Sequence, residues 1–183
     1  VFPCYFGSAL KSEGVQQLLQ GIEEYTVIPS YPEEFGARIF KITRDEQGNR
    51  LTHIKLTGGS LKVKDILKND IWEDKINQIR IYSGEKYETA GDIEAGSVCA
   101  LTGLSQSKAG EGLGIEEALQ TPVLEPVLSY RIILPEVYNP REVLPKLRIL
   151  EEEEPELHII WEEQLQEIQA RIMGEVQIEI LGR

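Results

Sequence analysis

Between Phe35 and about Gly103 the chain alternates apolar and polar residues with a period of two. ARIFKITR, LTHIKLT, SLKVKDIL, INQIRIY and SVCALTG are short runs rich in β-branched side chains. Turn chemistry separates them: DEQGN at 45–49, TGGS at 57–60 and YSGE at 82–85. Successive side chains of an extended strand point to opposite faces, so each run can bury only one face and must find partners. Several such strands at this spacing predict an antiparallel β-barrel or sandwich.

The flanks have different periods. In GVQQLLQGIEEY, residues 14–25, Val15, Leu18, Leu19 and Ile22 recur at helical spacing, which predicts a short amphipathic helix. Before it, the apolar VFPCYF and the small-residue turn Gly7-Ser8-Ala9 give the order strand, loop, helix, as at the end of an α/β domain. The first residue already lies inside that apolar run, so the chain reads as an excised fragment. Pro29 and Pro32 then mark a linker.

After a Gly-rich stretch at 103–114 and prolines at 122 and 126, VLSYRIIL reads as a strand. Asn139-Pro140-Arg141-Glu142 has a helix-start signature, with Asn139 as cap and Pro140 at the first helical position. Val143, Leu147 and Leu150 would form its apolar stripe. Pro145 would remove a backbone donor there, which predicts a kink or a later start. ELHIIW and EIQARI read as two further strands and EVQIEIL as the opening of a second helix. The order β-α-β-β-α is that of a ferredoxin-like split βαβ without its last strand. The expected units are therefore 1–28, 29–121 and 122–183.

With 183 residues, 41% hydrophobic and 27% charged, the chain has a globular composition. No apolar run approaches the ~18 residues of a spanning helix. Cys4 and Cys99 are the only cysteines and have no metal-ligand spacing. A reducing cytoplasm and a monomer are the expectation.

The net charge of −12 argues against nucleic acid as a partner for the chain as a whole, but the charge is unevenly spread. Residues 1–34 hold one basic and five acidic side chains, and residues 122–183 hold six and thirteen. From Arg38 to Lys86 eleven basic side chains face seven acidic ones. Within 51–65, Ile54 and Leu56 alternate with His53 and Lys55, and Leu61 and Val63 alternate with Lys62 and Lys64. A hairpin there would have one apolar and one basic face, suited to phosphate contacts that position a partner without reading its sequence.

No catalytic centre emerges. Gly110-Glu111-Gly112-Leu113-Gly114 has its third glycine out of register for a dinucleotide loop and reads as a flexible connection. Glu151 to Glu154, with Glu162 and Glu163, read as a solvated acidic face, because consecutive glutamates on a helix do not converge. A hydrolase using them is the enzyme alternative. His53 and His158 lie on different units without a nucleophile or ligand pattern. The chain contains neither G-x-x-x-x-G-K-[ST] nor Asn-Lys-x-Asp, so it should not hydrolyse GTP.

Taken in order, the three units resemble the translational GTPases of the elongation factor G superfamily over the whole chain. FGSALKSEGVQQLL is similar to the end of their GTP-binding domain. IKLTGGSLKVKDIL with AGDIEAGSVCALTGL is similar to the domain II barrel, and LRILEEEEPELHIIW with IMGEVQIEIL to domain III. Phe2-Pro3, the RLTHIKLTGGSLKVKD segment and the short IYSGEKYETAGDIEAG connection fit the tetracycline-resistance ribosomal protection proteins best. Lys64-Asp65 stands where elongation factor G usually has Gly-Asp.

The resemblance implies a mixed fold: an antiparallel β-barrel of domain II type, then a truncated α+β ferredoxin-like domain III, preceded by a strand-helix remnant of an α/β GTPase domain. It also implies that Gly7, Ser8 and Ala9 are a remnant of the guanine site, with GTP and Mg in the complete protein and no cofactor in this fragment. The implied partner is the ribosome, with small-subunit RNA and proteins against domain II and His53, Lys55, Lys62 and Lys64 as candidate RNA contacts. The implied function is release of tetracycline from the ribosome. The alternatives are translocation of the elongation factor G type and a stand-alone β-barrel interaction module.

Overall fold

The computed structural model describes residues 2–27, 29–117, 126, 128–135, 137–174 and 177–179. Residues Val1–Ser30 form one compact unit and Tyr31–Arg183 another.

In the first unit the expected helix forms as α1 (Val15–Tyr25). The strand expected over VFPCYF does not: residues 2–7 have no ladder, and Phe2 and Phe6 are almost fully exposed. A strand exists only through hydrogen bonds to a neighbour, and among the described residues of this unit the sole β pairing is the bridge between Ser8 and Glu13.

The second unit begins with a six-stranded antiparallel sheet in the order β10-β1-β2-β9-β6-β7. Its strands are β1 (Gly36–Arg44), β2 (Arg50–Gly58), β6 (Gln78–Ser83), β7 (Lys86–Ala90), β9 (Val98–Thr102) and β10 (Gly112–Gly114). Two ribbons complete it, β3 (Ser60–Lys62) with β8 (Asp92–Glu94), and β4 (Ile66–Lys68) with β5 (Glu73–Lys75). Ile39 and Ile42 of β1, Ile54 and Leu56 of β2, Leu61, Leu67, Trp72, Ile79, Ile93 and Leu101 meet in one core. Each such side chain contributes roughly 1.5–3 kcal/mol when taken fully out of water. The all-antiparallel expectation is met by this sheet and two ribbons; among the described residues the sheet is open, with β10 and β7 at its edges.

The β1–β2 turn shows how local chemistry sets register. Asp45 Oδ1 accepts from the amides of Gln47 and Asn49, and Gly48 takes φ +80°, a left-handed conformation easiest without a Cβ. The expected hairpin over 51–65 does not form. β2 pairs with β1 and β9, whereas β3 pairs with β8. Alternation alone states which face is buried and not which strand lies alongside.

The Gly-rich 110–114 segment is not a flexible connection. Gly110 donates to Ile39 O at 2.7 Å, Ile39 donates to Glu111 O at 2.9 Å, and β10 pairs with β1 through Gly112 to Gly114. A Cβ on Gly114 would collide with the Phe35 backbone, so the glycine permits this close strand approach.

A second sheet has the order β11-β13-β12, from β11 (Leu128–Ile132), β12 (His158–Glu162) and β13 (Glu167–Ile172), all antiparallel neighbours. With α2 (Pro140–Glu153) between β11 and β12, this is the expected split βαβ order. Leu144 and Leu147 of α2 pack on Leu157, Ile159, Ile168, Ala170 and Ile172. Asn139 caps α2 as expected, accepting from Arg141 N at 3.0 Å. Of the two outcomes expected at Pro145, the later start does not occur: α2 begins at Pro140 and includes Pro145, which is exposed, so water can serve the carbonyl left without its donor. The stripe also uses Leu144, whereas Leu150 stays exposed. Residues 177–179 are helical; the rest of the expected second helix, and the unit boundary at 121–122, lie outside the described residues.

Candidate functional site

On the outer face of the six-stranded sheet the register shifts between Ile39 and Lys41, so that Phe40 and Lys41 are both exposed against His53 of β2. A β-bulge of this kind re-aims a side chain that regular alternation would bury. From there a row of rings crosses the sheet. The Phe40 and His53 centroids are 6.1 Å apart, His53 and Tyr82 6.2 Å, and Tyr82 and Tyr87 5.3 Å, each pair tilted by 42–49°. The row passes β9 at Ala100, which is paired with both His53 and Arg80 and too small to interrupt it.

Polar contacts fix the row. The His53 ring hydrogen-bonds Thr43 Oγ1 at 2.7 Å. Partial burial, together with the positive charge of Lys41, pushes the His53 pKa below its ordinary value, so the ring is neutral at pH 7. The Arg80 guanidinium lies 4.4 Å from the Tyr87 centroid and donates to Asp45 Oδ2 at 3.0 Å and Gln78 Oε1 at 2.6 Å. Beside His53 on β2, Lys55 Nζ donates to Gly96 O at 2.5 Å and lies 5.9 Å from the Tyr31 ring.

The four basic-face candidates thus separate into two pairs. His53 and Lys55 share the outer face of β2. Lys62 ends β3 and Lys64 follows it in a turn with φ +78°, on the ribbon paired with β8. Phe40, Lys41, Tyr82 and Tyr87 were missed by the sequence reading. Their signal was the consecutive Phe40-Lys41 breaking the alternation of β1, and two tyrosines equidistant from the Ser83-Gly84-Glu85-Lys86 turn.

In the first unit, Ser8 N donates to Glu13 O at 3.0 Å, Ser8 O accepts from Lys11 and Glu13, and Ala9 opens a 3-10 turn. The Ser8 amide is therefore committed to a hydrogen bond within the chain.

The acidic residues are not simply solvated. Glu151 Oε1 accepts from Ile159 N at 3.0 Å, and Glu152 Oε2 lies 3.2 Å from both Arg44 Nη2 and Arg50 Nε. His158 is exposed on β12. Among the described residues no cluster of His, Cys, Asp and Glu could hold a metal ion, and no helix is long and apolar enough to cross a membrane.

No family model matches the chain. A crystal structure of a protein from Thermus thermophilus superposes with a TM-score of 0.72 over 91% of this chain and 27% of that one, at 23% identity, which shows the fold. The sequence is 29% identical, over all of its own length, to the tetracycline resistance protein TetP of Clostridium perfringens, of which it spans 29%. The resemblance to the elongation factor G superfamily, and within it to the tetracycline-resistance proteins, is borne out by that end-to-end similarity.

Proposed function

We propose that this chain is the docking and transmission part of a ribosome-dependent GTPase that protects the ribosome by releasing tetracycline. The observation that carries the reading is the similarity to a tetracycline resistance protein from one end of the chain to the other. The succession of an antiparallel sheet with two ribbons and a split βαβ sheet supports it as the domain II and domain III pair, at 29–121 and 122–183, after the end of a GTP-binding domain at 1–28.

In this reading GTP and Mg bind upstream, where Gly7, Ser8 and Ala9 border the guanine side, and no hydrolytic step runs through the residues present. Domain II rests on small-subunit RNA and protein through His53, Lys55, Lys62 and Lys64. Domain III passes the nucleotide state to the drug-releasing end. The protein works as a monomer in the cytoplasm.

The test is cell-free translation stalled by tetracycline, with the complete protein added in the presence or absence of GTP. GTP-dependent recovery is expected. Ribosome-stimulated GTP hydrolysis without recovery would replace the reading by a translocation-type factor.

A further inference from the structure

We infer that the outer face of the six-stranded sheet is a stacking platform for unpaired RNA bases, with Phe40, His53, Tyr82 and Tyr87 as the stacking surface and Lys41 and Lys55 holding flanking phosphates. This rests on the ribosome-docking reading and names the surface and the recognition chemistry.

Three observations converge. First, the bulge places Phe40 beside Lys41 on the open face, where Phe40 is 49% exposed although it belongs to a strand whose other apolar residues are buried. Tyr82 and Tyr87 are 37% and 44% exposed, so aromatic faces are available across β1, β6 and β7. Second, two of the four rings are held in place: Thr43 fixes His53, and Arg80, braced by Asp45 and Gln78, lies against Tyr87. These two have little conformational freedom to lose on binding.

Third, the charge is selective. The positions of β1, β2, β9, β6 and β7 that share this face include no Asp or Glu, in a chain whose net charge is −12. The carboxylates at its margins, Asp45 and Glu116, are paired with Arg80 and Arg38. Lys41 and Lys55 have no carboxylate partner among the described residues. Rings interleaved with cations and cleared of carboxylates suit a nucleobase with its phosphates; every base has a π-face, so stacking is sequence-tolerant. A purely apolar patch would suit a protein partner better.

The experiment binds the full chain to small ribosomal subunits, irradiates with ultraviolet light and identifies the nucleotide-bearing peptides. In parallel, a mixed-sequence hexaribonucleotide is titrated while tyrosine fluorescence is followed. Adducts on peptides containing Phe40 or Tyr82, formed with unpaired nucleotides, are expected. Phe40→Ala and Tyr82→Ala should weaken binding roughly ten-fold, Tyr82→Phe should retain it, and Lys41→Ala should lower the salt slope by about one. Phe40→Leu keeps apolar area without a π-face, so it should bind as poorly as Phe40→Ala while melting like the wild type.

Subunit binding unchanged in the ring variants overturns the stacking platform and leaves docking standing. Adducts with ribosomal protein alone, or full binding by Phe40→Leu, overturn it in favour of a protein partner. Ring-dependent quenching by the hexaribonucleotide without subunit binding upholds the platform and removes the docking reading. Absence of both removes both.

Discussion

Glu152, the penultimate residue of α2, accepts a hydrogen bond from Arg50 Nε of β2 at 3.2 Å, joining the helix of the second sheet to the β1–β2 hairpin of the first. Arg44 reaches the same carboxylate at 3.2 Å and Glu153 at 3.8 Å. Acidic residues at a helix C-terminus oppose the helix dipole, and these arginines offset that. Arg50 is held from behind: Nη1 donates to Leu104 O at 3.0 Å and Ser107 Oγ at 2.8 Å, and Nη2 donates to Ser107 O.

The two ends of this pair should respond differently to substitution. The Glu152 side chain is 43% exposed, so Glu152→Ala should cost only about 0.5–1 kcal/mol, less in high salt. Arg50→Met also strips donors from the fully buried Ser107 and should cost about 2–4 kcal/mol. Urea unfolding of both single variants and the double variant measures this. Equal losses would show that the network around Ser107 contributes nothing beyond the surface pair.

How much of this was legible in the sequence depends on the range of the interaction. Asn139 as cap, the 45–49 turn and the buried alternation of Ile54 and Leu56 are decided by neighbours within a few residues, and all were readable. The pairing of β3 with β8, and of Gly112 to Gly114 with β1, joins segments dozens of residues apart and leaves no periodic trace. The same limit hid the site. His53 and Lys55 could be placed on one face from spacing, but Tyr82 and Arg80 reach His53 only through β9, which lies between them. Glu152 read as solvated because its partners, Arg44 and Arg50, are about a hundred positions away.

Asp45 predicts an acid dependence. The Asn49 side chain donates to its carboxylate, as do the Asn49 and Gln47 amides and Arg80, and together they hold its pKa below the usual carboxylate value despite some burial. A depressed folded-state pKa contributes stability that is present above the unfolded value, about 3.9, and is lost as pH falls through the folded value. Thermal melts between neutral pH and pH about 3 should show this loss in the wild type and a shallower loss in Asp45→Asn. Equal slopes would mean that other carboxylates carry the acid dependence.

The two cysteines should differ in reactivity. Burial pushes the Cys99 thiol up to about 12, and Cys99 packs in the first core, whereas Cys4 is exposed. The thiolate is the reacting form. A colorimetric disulfide reagent at mildly alkaline pH should titrate one thiol in the native chain and two in denaturant, with Cys4→Ser abolishing the native signal. Fast native labelling of Cys99 would mean that β9 opens readily.

Lys64 occupies a left-handed conformation, φ +78°, with its amide donating to Ile76 O at 3.0 Å and the adjacent Asp65 carboxylate accepting from Lys62 N at 2.8 Å. A residue with a Cβ is strained there, at a cost on the order of 1 kcal/mol, whereas glycine adopts it freely. Lys64→Gly should therefore stabilise the chain by about 0.5–1 kcal/mol, less the extra backbone entropy of the unfolded glycine, and Lys64→Ala should not. Melting curves of the two variants decide it. If Lys64 is also an RNA contact, Lys64→Gly will combine a higher melting temperature with weaker, less salt-sensitive subunit binding, and unchanged binding would limit the lysine's role to the turn.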